Sequence, residues 1–284
     1  MTDLTEEQLR SWVGRSVQVS DVLTLEQALR MAALLDLDVP PADGAELPPL
    51  WHWAYFAPHA RQSLIDVDGH PVRGDFLPPV ALPRRMWAGS RVRFVAPLRI
   101  GQPVSRRSEI LSVEPKNGKQ GRLVFVTVRH VLSNEAGVAI DEEQDIVYRE
   151  PLTSSPSPAP PAETKQAEWS DALTPDAVML FRYSALTYNA HRIHYDLPYA
   201  TETECYPGLV VQGPMTATLL LAAFCRRSDA RVEAFQFRGQ SPLFADRPVR
   251  LCGRGSGTPG THELWAEGPG GYTAMSANVI IETC

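Results

Sequence analysis

The sequence predicts an α+β protein built from two similar halves, each with an early helix followed by long antiparallel strands. Two observations support this interpretation. A proline-rich segment at residues 151–161 holds five prolines and divides the 284-residue chain near its midpoint. The pattern Pro-Leu-x4-Pro-Val begins at Pro97 and again at Pro242, 145 residues later. Similar strand and turn patterns follow each copy, and we infer an internal duplication.

The composition is that of a globular protein, with 44% apolar and 21% charged residues. The net charge of −6 argues against binding to nucleic acid. Apolar runs fall short of the roughly 20 residues that cross a membrane, so no membrane association is expected. The four cysteines are widely spaced, and the N-terminal segment has no signal-peptide core. These features predict a cytoplasmic protein with reduced thiols.

The first half begins with helix signals. Residues 24–27 resemble an N-terminal capping box, and good helix formers fill residues 25–35. The aromatic segment 51–56 follows, and it could form either a lid over a ligand or a small separate core. Strand-forming residues in segments 123–132 and 138–148 flank a turn with a glycine, which predicts a β-hairpin.

The second half repeats this order with a more apolar helix. Pro214 directly after Gly213 is typical of a helix start, and residues 215–225 are apolar nearly all round, which predicts a buried helix. Segments 262–267 and 272–281 predict another hairpin around a glycine-rich turn. The predicted organisation is an N-terminal repeat, a linker and a C-terminal repeat, at residues 1–150, 151–167 and 168–284.

The segment from Arg182 to Asp196 is the part of the chain richest in chemical groups. It holds two histidines, an asparagine and three tyrosines, and Gly213 opens the apolar helix nineteen residues after His194. An imidazole exchanges protons near neutral pH. Unpaired N–H groups at a helix N-terminus can stabilise an oxyanion. The combination predicts chemistry on a carbonyl compound.

This segment resembles the active-site motif of MaoC-like, type 2 enoyl-thioester hydratases and dehydratases, which have the hotdog fold. Their motif is Asp-x-Asn-Pro-aliphatic-His, followed by a glycine at the start of the buried helix. His194 stands at the catalytic histidine, Asn189 at the aspartate and Gly213 at the oxyanion glycine. The variant Thr-Tyr-Asn-Ala-His-Arg-Ile-His-Tyr-Asp is similar to a branch that includes hydratases of mesaconyl-type CoA esters and mitochondrial-type hydroxyacyl-thioester dehydratases.

The first half lacks this motif and resembles a degenerate hotdog repeat. The resemblance therefore implies a double hotdog with one active site where the halves meet, on the C-terminal repeat. From the fold we also expect a homodimer. No metal or redox cofactor is expected. CoA enters as part of the substrate.

The implied reaction is reversible hydration of an α,β-unsaturated acyl-CoA. The implied substrate is a short branched dicarboxylic acyl-CoA, such as mesaconyl-C4-CoA or itaconyl-CoA, hydrated to citramalyl-CoA. In this reaction His194 transfers protons, Asn189 holds the water and the Gly213 N–H polarises the thioester carbonyl. One alternative is a 3-hydroxyacyl-ACP or 3-hydroxyacyl-CoA dehydratase of fatty-acid or polyketide metabolism. Another is a non-catalytic acyl-thioester binding protein, because an amide at position 189 cannot carry a proton.

Further residues are candidates for binding the substrate. Arg192 could bind a substrate carboxylate or a CoA phosphate through two hydrogen bonds. His191 precedes His194 by three residues and could form a metal pair with Asp196, but no third ligand pattern is evident, so no metal is predicted. The remaining candidates, for which simple packing or a solvated surface is the alternative, are Tyr188, Tyr195 and Arg238.

Overall fold

The computed structural model describes residues 4–118, 121–151 and 165–283, so residues 152–164 of the predicted linker lie outside the described residues. The strands are β1 (Ser16–Val22), β2 (Arg84–Phe94), β3 (Pro103–Gly118), β4 (Gly121–Asn134), β5 (Gly137–Arg149), β6 (Trp169–Leu173), β7 (Val232–Gly239), β8 (Val249–Gly255), β9 (Thr261–Glu267) and β10 (Thr273–Ile281). The α-helices are α1 (Glu6–Arg10), α2 (Leu25–Leu34), α3 (Ala177–Thr187) and α4 (Gly213–Cys225). None of the helices in these ranges is long and apolar enough to cross a membrane.

The strand order confirms the predicted duplication. All ten strands form one antiparallel sheet in the order β1-β3-β4-β5-β2-β7-β10-β9-β8-β6. Each strand of the first half corresponds to the strand numbered five higher, so the order is the same read outward from the centre in both directions. The two halves meet where β2 pairs with β7. The predicted hairpins are confirmed as β4–β5 and β9–β10.

The apolar helix α4 lies in the centre of the protein. Met215 and Leu220 on this helix are completely buried, and the helix contacts β2, β8, β9 and β10. This confirms the prediction of a buried helix. The largest hydrophobic core is shared by both halves and includes Leu50 and Val92 of the first as well as Phe235 of the second. The halves therefore bury their apolar surfaces against each other.

Helix α2 is confirmed, but the predicted capping box is wrong. The Thr24 side chain makes no capping hydrogen bond. The Gln27 side chain instead donates to the carbonyl oxygens of Ala54 and Leu186, at 2.7 and 2.5 Å. The Gln27 side chain, which the local pattern assigned to the helix cap, therefore makes long-range hydrogen bonds instead. Gln27 thereby joins α2 to the aromatic segment and to the end of α3.

Strand β2, which forms the seam between the halves by pairing with β7, contains a β-bulge on its other side. The pairing of β2 with β5 shifts register between Trp87 and Gly89, and bulges often redirect side chains near functional sites. Gly89 lies opposite Arg238 on β7. A Cβ atom at Gly89 would overlap the carbonyl oxygen of Phe237. The close approach of the two halves thus depends on a residue without a side chain.

We predict that Gly89→Ala destabilises the protein by about 1–3 kcal/mol, the usual cost of overpacking, because β2 and β7 must separate. Gly239→Ala is the matched control on the other side of the seam. Its Cβ would lie 3.5 Å from the Ala88 carbonyl oxygen, an ordinary contact. Urea unfolding followed by circular dichroism measures both. Equal midpoints for the two variants would contradict the importance of this contact.

Candidate active site

The segment with the predicted site residues begins where α3 ends. Tyr188 closes the helix in a left-handed conformation, with φ 50°, and the Asn189 N–H donates to the Ser184 carbonyl oxygen at 2.8 Å. The Asn189 side-chain oxygen then accepts the N–H of His191 at 3.1 Å. This turn redirects the chain and leads into a 3₁₀ turn over Arg192–His194. Oδ1 keeps one lone pair, and the amide N–H₂ of Asn189 remains available as a donor.

His194 is buried, with 7% of its surface exposed. Its Nδ1 lies 2.7 Å from the carbonyl oxygen of Val210. A carbonyl oxygen only accepts, so Nδ1 carries the proton and Nε2 offers a lone pair. Burial lowers the pKa of His194 to about 4, although the hydrogen bond to Val210 opposes the shift. His194 is therefore a neutral imidazole at pH 7, in the form that accepts a proton.

Gly213 is the first residue of α4, and Gln212 is its N-cap. The N–H groups in the first turn of a helix have no partner within the helix, and the Gly213 N–H makes no hydrogen bond to any described residue. A Cβ atom on Gly213 would lie 3.7 Å from the Trp87 carbonyl oxygen and would meet nothing closer. The N–H is thus available to an acceptor on a ligand.

Hydrogen bonds tie the His194 segment to the start of α4. Besides the His194 bond, the Val210 N–H donates to the Ile193 carbonyl oxygen at 2.9 Å. The buried Gln212 side chain donates to the Leu180 carbonyl oxygen and the Ser184 hydroxyl, at 2.9 and 3.0 Å. The imidazole and the helix N-terminus are consequently held in one rigid arrangement. Sequence reasoning predicted both groups but missed Gln212, since a lone glutamine carries no pattern.

A loop of the first half supports the same segment from the other side. The Arg192 N–H and guanidinium donate to the carbonyl oxygens of Asp68 and Val67, at 2.9 and 3.1 Å. The α-carbon of Gly69 packs so tightly against Ala190 that a Cβ would overlap its carbonyl oxygen. The only signal of this loop in the sequence is a turn, Asp-Val-Asp-Gly-His at residues 66–70.

Three potential ligand atoms from Asp68, His70 and His191 lie within 4.8 Å of one another. This cluster was missed because two of its members come from the first half. Both the N–H and the ring Nδ1 of His70 bond the Asp68 carboxylate, at 2.9 and 3.0 Å. Burial, the neighbouring histidines, Arg85 and Arg84 hold the pKa of His191 well below its usual value. The Arg84 and Arg85 charges that contribute to this shift disfavour a cation, and His70 already occupies the Asp68 carboxylate, so the contacts favour a structural support.

The rings of this cluster continue to the candidate base. The His70 and His191 ring centroids are 4.2 Å apart, and those of His191 and His194 are 5.3 Å apart. The His191 ring thus lies between the ring of His70, from the first half, and the ring of His194, the candidate base. This position makes it a wall of the site.

The other predicted substrate-binding residues lie farther out. The Arg192 guanidinium bonds the Asp196 carboxylate at 2.7 and 2.9 Å, which favours a structural role over the predicted contact with a substrate carboxylate. Tyr188 and Tyr195 are 66% and 49% exposed, and Arg238 is exposed on β7. No described contact brings these three side chains to His194. Their roles in binding the substrate stay predictions.

Fold and site together define a double-hotdog protein of the MaoC-like hydratase and dehydratase class. A conserved Mycobacterium tuberculosis protein described as a double hotdog superposes with a TM-score of 0.56 and 12% identity, over 95% of this chain and 96% of that chain. HtdX of the same organism superposes with a TM-score of 0.68 and 19% identity, over 93% of this chain and 99% of that chain. These similarities confirm the predicted fold.

The sequence comparisons identify the family. The model of hydroxyacyl-thioester dehydratase type 2 matches residues 50–245. The mesaconyl-C(4)-CoA hydratase of Chloroflexus aurantiacus is 50% identical over 275 residues, which are 95% of this chain and 96% of that protein. This chain belongs to the hydroxyacyl-thioester dehydratase type 2 family, as its motif predicted.

We predict that Gly69→Ala loosens the catalytic segment, because the added methyl group must displace Ala190. Gly74→Ala is the matched control. Both glycines have positive φ, +91° and +100°, but a Cβ on Gly74 makes only an ordinary contact of 3.5 Å with the Pro79 side chain. Both variants lose stability from backbone strain. Only Gly69→Ala should increase hydrogen–deuterium exchange in residues 188–196. Equal exchange in the two variants would contradict this.

Proposed function

We propose that this protein catalyses the reversible addition of water to an α,β-unsaturated acyl-CoA, with a short branched dicarboxylic acyl group as in mesaconyl-C4-CoA. The observation that best supports this proposal is the presence of a candidate base, His194, and a candidate oxyanion donor, the Gly213 N–H. His194 is a buried neutral imidazole whose Nδ1 is bonded to Val210, and the Gly213 N–H at the start of α4 lacks a partner among the described residues. The 50% identity to a hydratase named for this substrate supports the finer assignment.

In this mechanism the thioester carbonyl oxygen accepts a hydrogen bond from the Gly213 N–H. His194 Nε2 takes a proton from water while the water oxygen bonds to the β-carbon. The electron pair of the double bond moves to the thioester oxygen as an enolate, which the N–H and the positive end of α4 stabilise. The imidazolium then returns its proton to the α-carbon. Since one base serves both steps, both new bonds form on the face of the substrate that His194 meets.

Asn189 replaces the acidic residue of the wider family motif. In our proposal it holds the attacking water through its amide group, whose orientation the bond from the His191 N–H to Oδ1 fixes. The proton therefore passes through His194 alone. Addition of water changes no oxidation state, and we propose that neither a metal nor a redox cofactor takes part. CoA is part of the substrate, and the homodimer expected from the fold stays a prediction.

The proposal is tested by assaying hydration of mesaconyl-C4-CoA, crotonyl-CoA and a longer 3-hydroxyacyl thioester. We expect mesaconyl-C4-CoA to be the preferred substrate, and His194→Gln to lower kcat about 10²–10⁴-fold, the usual contribution of positioned acid–base catalysis. His59→Gln, at an exposed histidine, is the control and should leave kcat unchanged. Turnover of the long chain alone would instead indicate a fatty-acid or polyketide dehydratase. Equal trace activity in wild type and His194→Gln would indicate a non-catalytic binding protein.

The pH dependence of kcat/KM should report the low pKa of His194. The base works when it is unprotonated, so activity falls only as the pH drops toward about 4, and not through the usual histidine value of 6.5. The same shift destabilises the fold below pH 6.5, because the unfolded chain takes up this proton first. Circular dichroism at each pH separates unfolding from protonation. A half-maximal rate near pH 6.5 in folded protein would contradict the assignment.

A further inference from the structure

A cavity of about 270 Å³ lies beside the candidate active site, on the inner face of the first half's strands. Its walls combine indole rings with charged and polar side chains, among them Trp53, Trp87, Arg106, His130, Glu142 and Thr187. The aromatic segment 51–56 contributes to this wall and to the main core. Of the two predicted roles, the structure therefore excludes a separate small core for this segment.

Trp87 and Thr187 connect the cavity to the candidate catalytic groups. Trp87 lines the cavity, and its carbonyl oxygen lies 3.7 Å from the position of a Cβ on Gly213. Thr187 also lines it and stands two residues before Asn189. The indole N–H of Trp87 bonds the Gly89 carbonyl oxygen and the Ser90 hydroxyl, at 3.0 and 2.9 Å. The ring is thus held in place between the cavity and the start of α4.

Most polar groups in the cavity wall are already satisfied. The buried Glu142 carboxylate accepts hydrogen bonds from His52, Trp53 and Gln144, at 3.0 to 3.1 Å. Burial opposes its ionisation, but the hydrogen bonds from His52 and Trp53 and the electrostatic attraction of His52 and His130 together outweigh burial and lower the pKa of Glu142 to about 2. His130 bonds the Ser108 hydroxyl at 2.7 Å, and burial lowers its pKa to about 4.

Arg106 is the exception in this wall. It points inward between Val104 and Ser108, which are buried on the same face of β3. Its guanidinium carbon lies 4.9 Å from the centre of the Phe56 ring. Its Nε is buried without a hydrogen-bond partner, and none of its nitrogens bonds any described residue. The Glu142 and Asp21 carboxylates attract this guanidinium electrostatically, but both accept their hydrogen bonds from other groups.

The Arg106 Nε is held away from water without an acceptor, which is costly, and an ionised carboxylate is the partner that best fits a planar guanidinium. In 3-methylfumaryl-CoA, which is mesaconyl-C4-CoA, the free carboxylate and a methyl group sit on the β-carbon. When the thioester oxygen is at Gly213, the carboxylate extends away from it. The indoles of Trp53 and Trp87 offer apolar surface for the methyl group.

We propose that Arg106 binds the free carboxylate of the acyl group and so selects dicarboxylic over monocarboxylic enoyl-CoA substrates. This inference rests on the proposed hydratase function and deepens it. It assigns the recognition role to the first half of the chain, which lacks the catalytic motif. It also replaces Arg192, whose guanidinium is paired with Asp196, as the residue that reads the carboxylate.

The test compares Arg106→Met and Arg106→Lys with wild type, using mesaconyl-C4-CoA and crotonyl-CoA, which lacks the carboxylate. We expect Arg106→Met to lower kcat/KM for mesaconyl-C4-CoA by on the order of 100-fold or more, as for loss of one partner of a buried charge pair. Its kcat/KM for crotonyl-CoA should change far less, and Arg106→Lys should be intermediate. Equal losses for both substrates, or no loss for either, would overturn the proposal.

Arg107→Met is the matched control. Arg107 is the next residue of β3, its side chain is 60% exposed on the outer face and it bonds Glu109. This variant should leave both substrates unaffected. Arg106→Met should keep about the wild-type unfolding midpoint, because methionine retains the apolar stem of the side chain and Arg106 makes no hydrogen bond to a described residue. A lower midpoint would point to a structural role and count against the proposal.

Binding of saturated analogues separates this inference from the catalytic proposal. Isothermal titration calorimetry with 3-methylsuccinyl-CoA and butyryl-CoA requires no turnover and can be done with the His194→Gln protein. We expect a preference for 3-methylsuccinyl-CoA that Arg106→Met removes, while butyryl-CoA binding is retained. If the preference is lost as expected in a protein without hydratase activity, the carboxylate site stands and the catalytic proposal fails. Equal affinity of wild type and Arg106→Met for 3-methylsuccinyl-CoA would overturn the carboxylate site whatever the activity.

Discussion

The hydrogen bond from His194 Nδ1 to the Val210 carbonyl oxygen determines how the candidate site works. Burial keeps the ring neutral, and the carbonyl places its proton on Nδ1, so Nε2 is the basic nitrogen. Val210 stands three residues before Gly213, and its N–H bonds Ile193. The base and the start of α4 are therefore two ends of one hydrogen-bonded unit. Any movement of this unit would misplace both the proton acceptor and the oxyanion donor.

Both halves of the chain contribute residues to the proposed site. The second half carries His194 and Gly213, together with Gln212, which joins α3 to α4. The first half supplies the loop around Gly69 that packs against the catalytic segment, and the cavity wall that contains Arg106. In our proposal the repeat without the catalytic motif binds the substrate, because the continuous sheet holds it against the other repeat.

Local patterns predicted the parts of this structure that local forces determine. The apolar residues of α4 and the two hairpins were found because their burial and turn chemistry are written in consecutive residues. The same reasoning failed at Gln27, whose side chain was expected to cap the helix but donates to the distant carbonyl oxygen of Leu186. It also failed to find the roles of Asp68, His70 and Arg106, which approach the site only after β2 and β7 have joined the halves. Arg192 was proposed to meet the substrate because a guanidinium binds carboxylates bidentately, and the structure pairs it with Asp196 instead.

The protonation state and tautomer of the His194 ring decide whether it can act as the base. Long-range ¹H–¹⁵N correlation spectra distinguish the two neutral tautomers of an imidazole from the imidazolium, and comparison with His194→Gln assigns the signal. We expect the neutral ring with its proton on Nδ1 at every pH from 5.5 to 8, because its pKa is about 4. A proton on Nε2, or an imidazolium at pH 7, would contradict the assignment of His194 as the base.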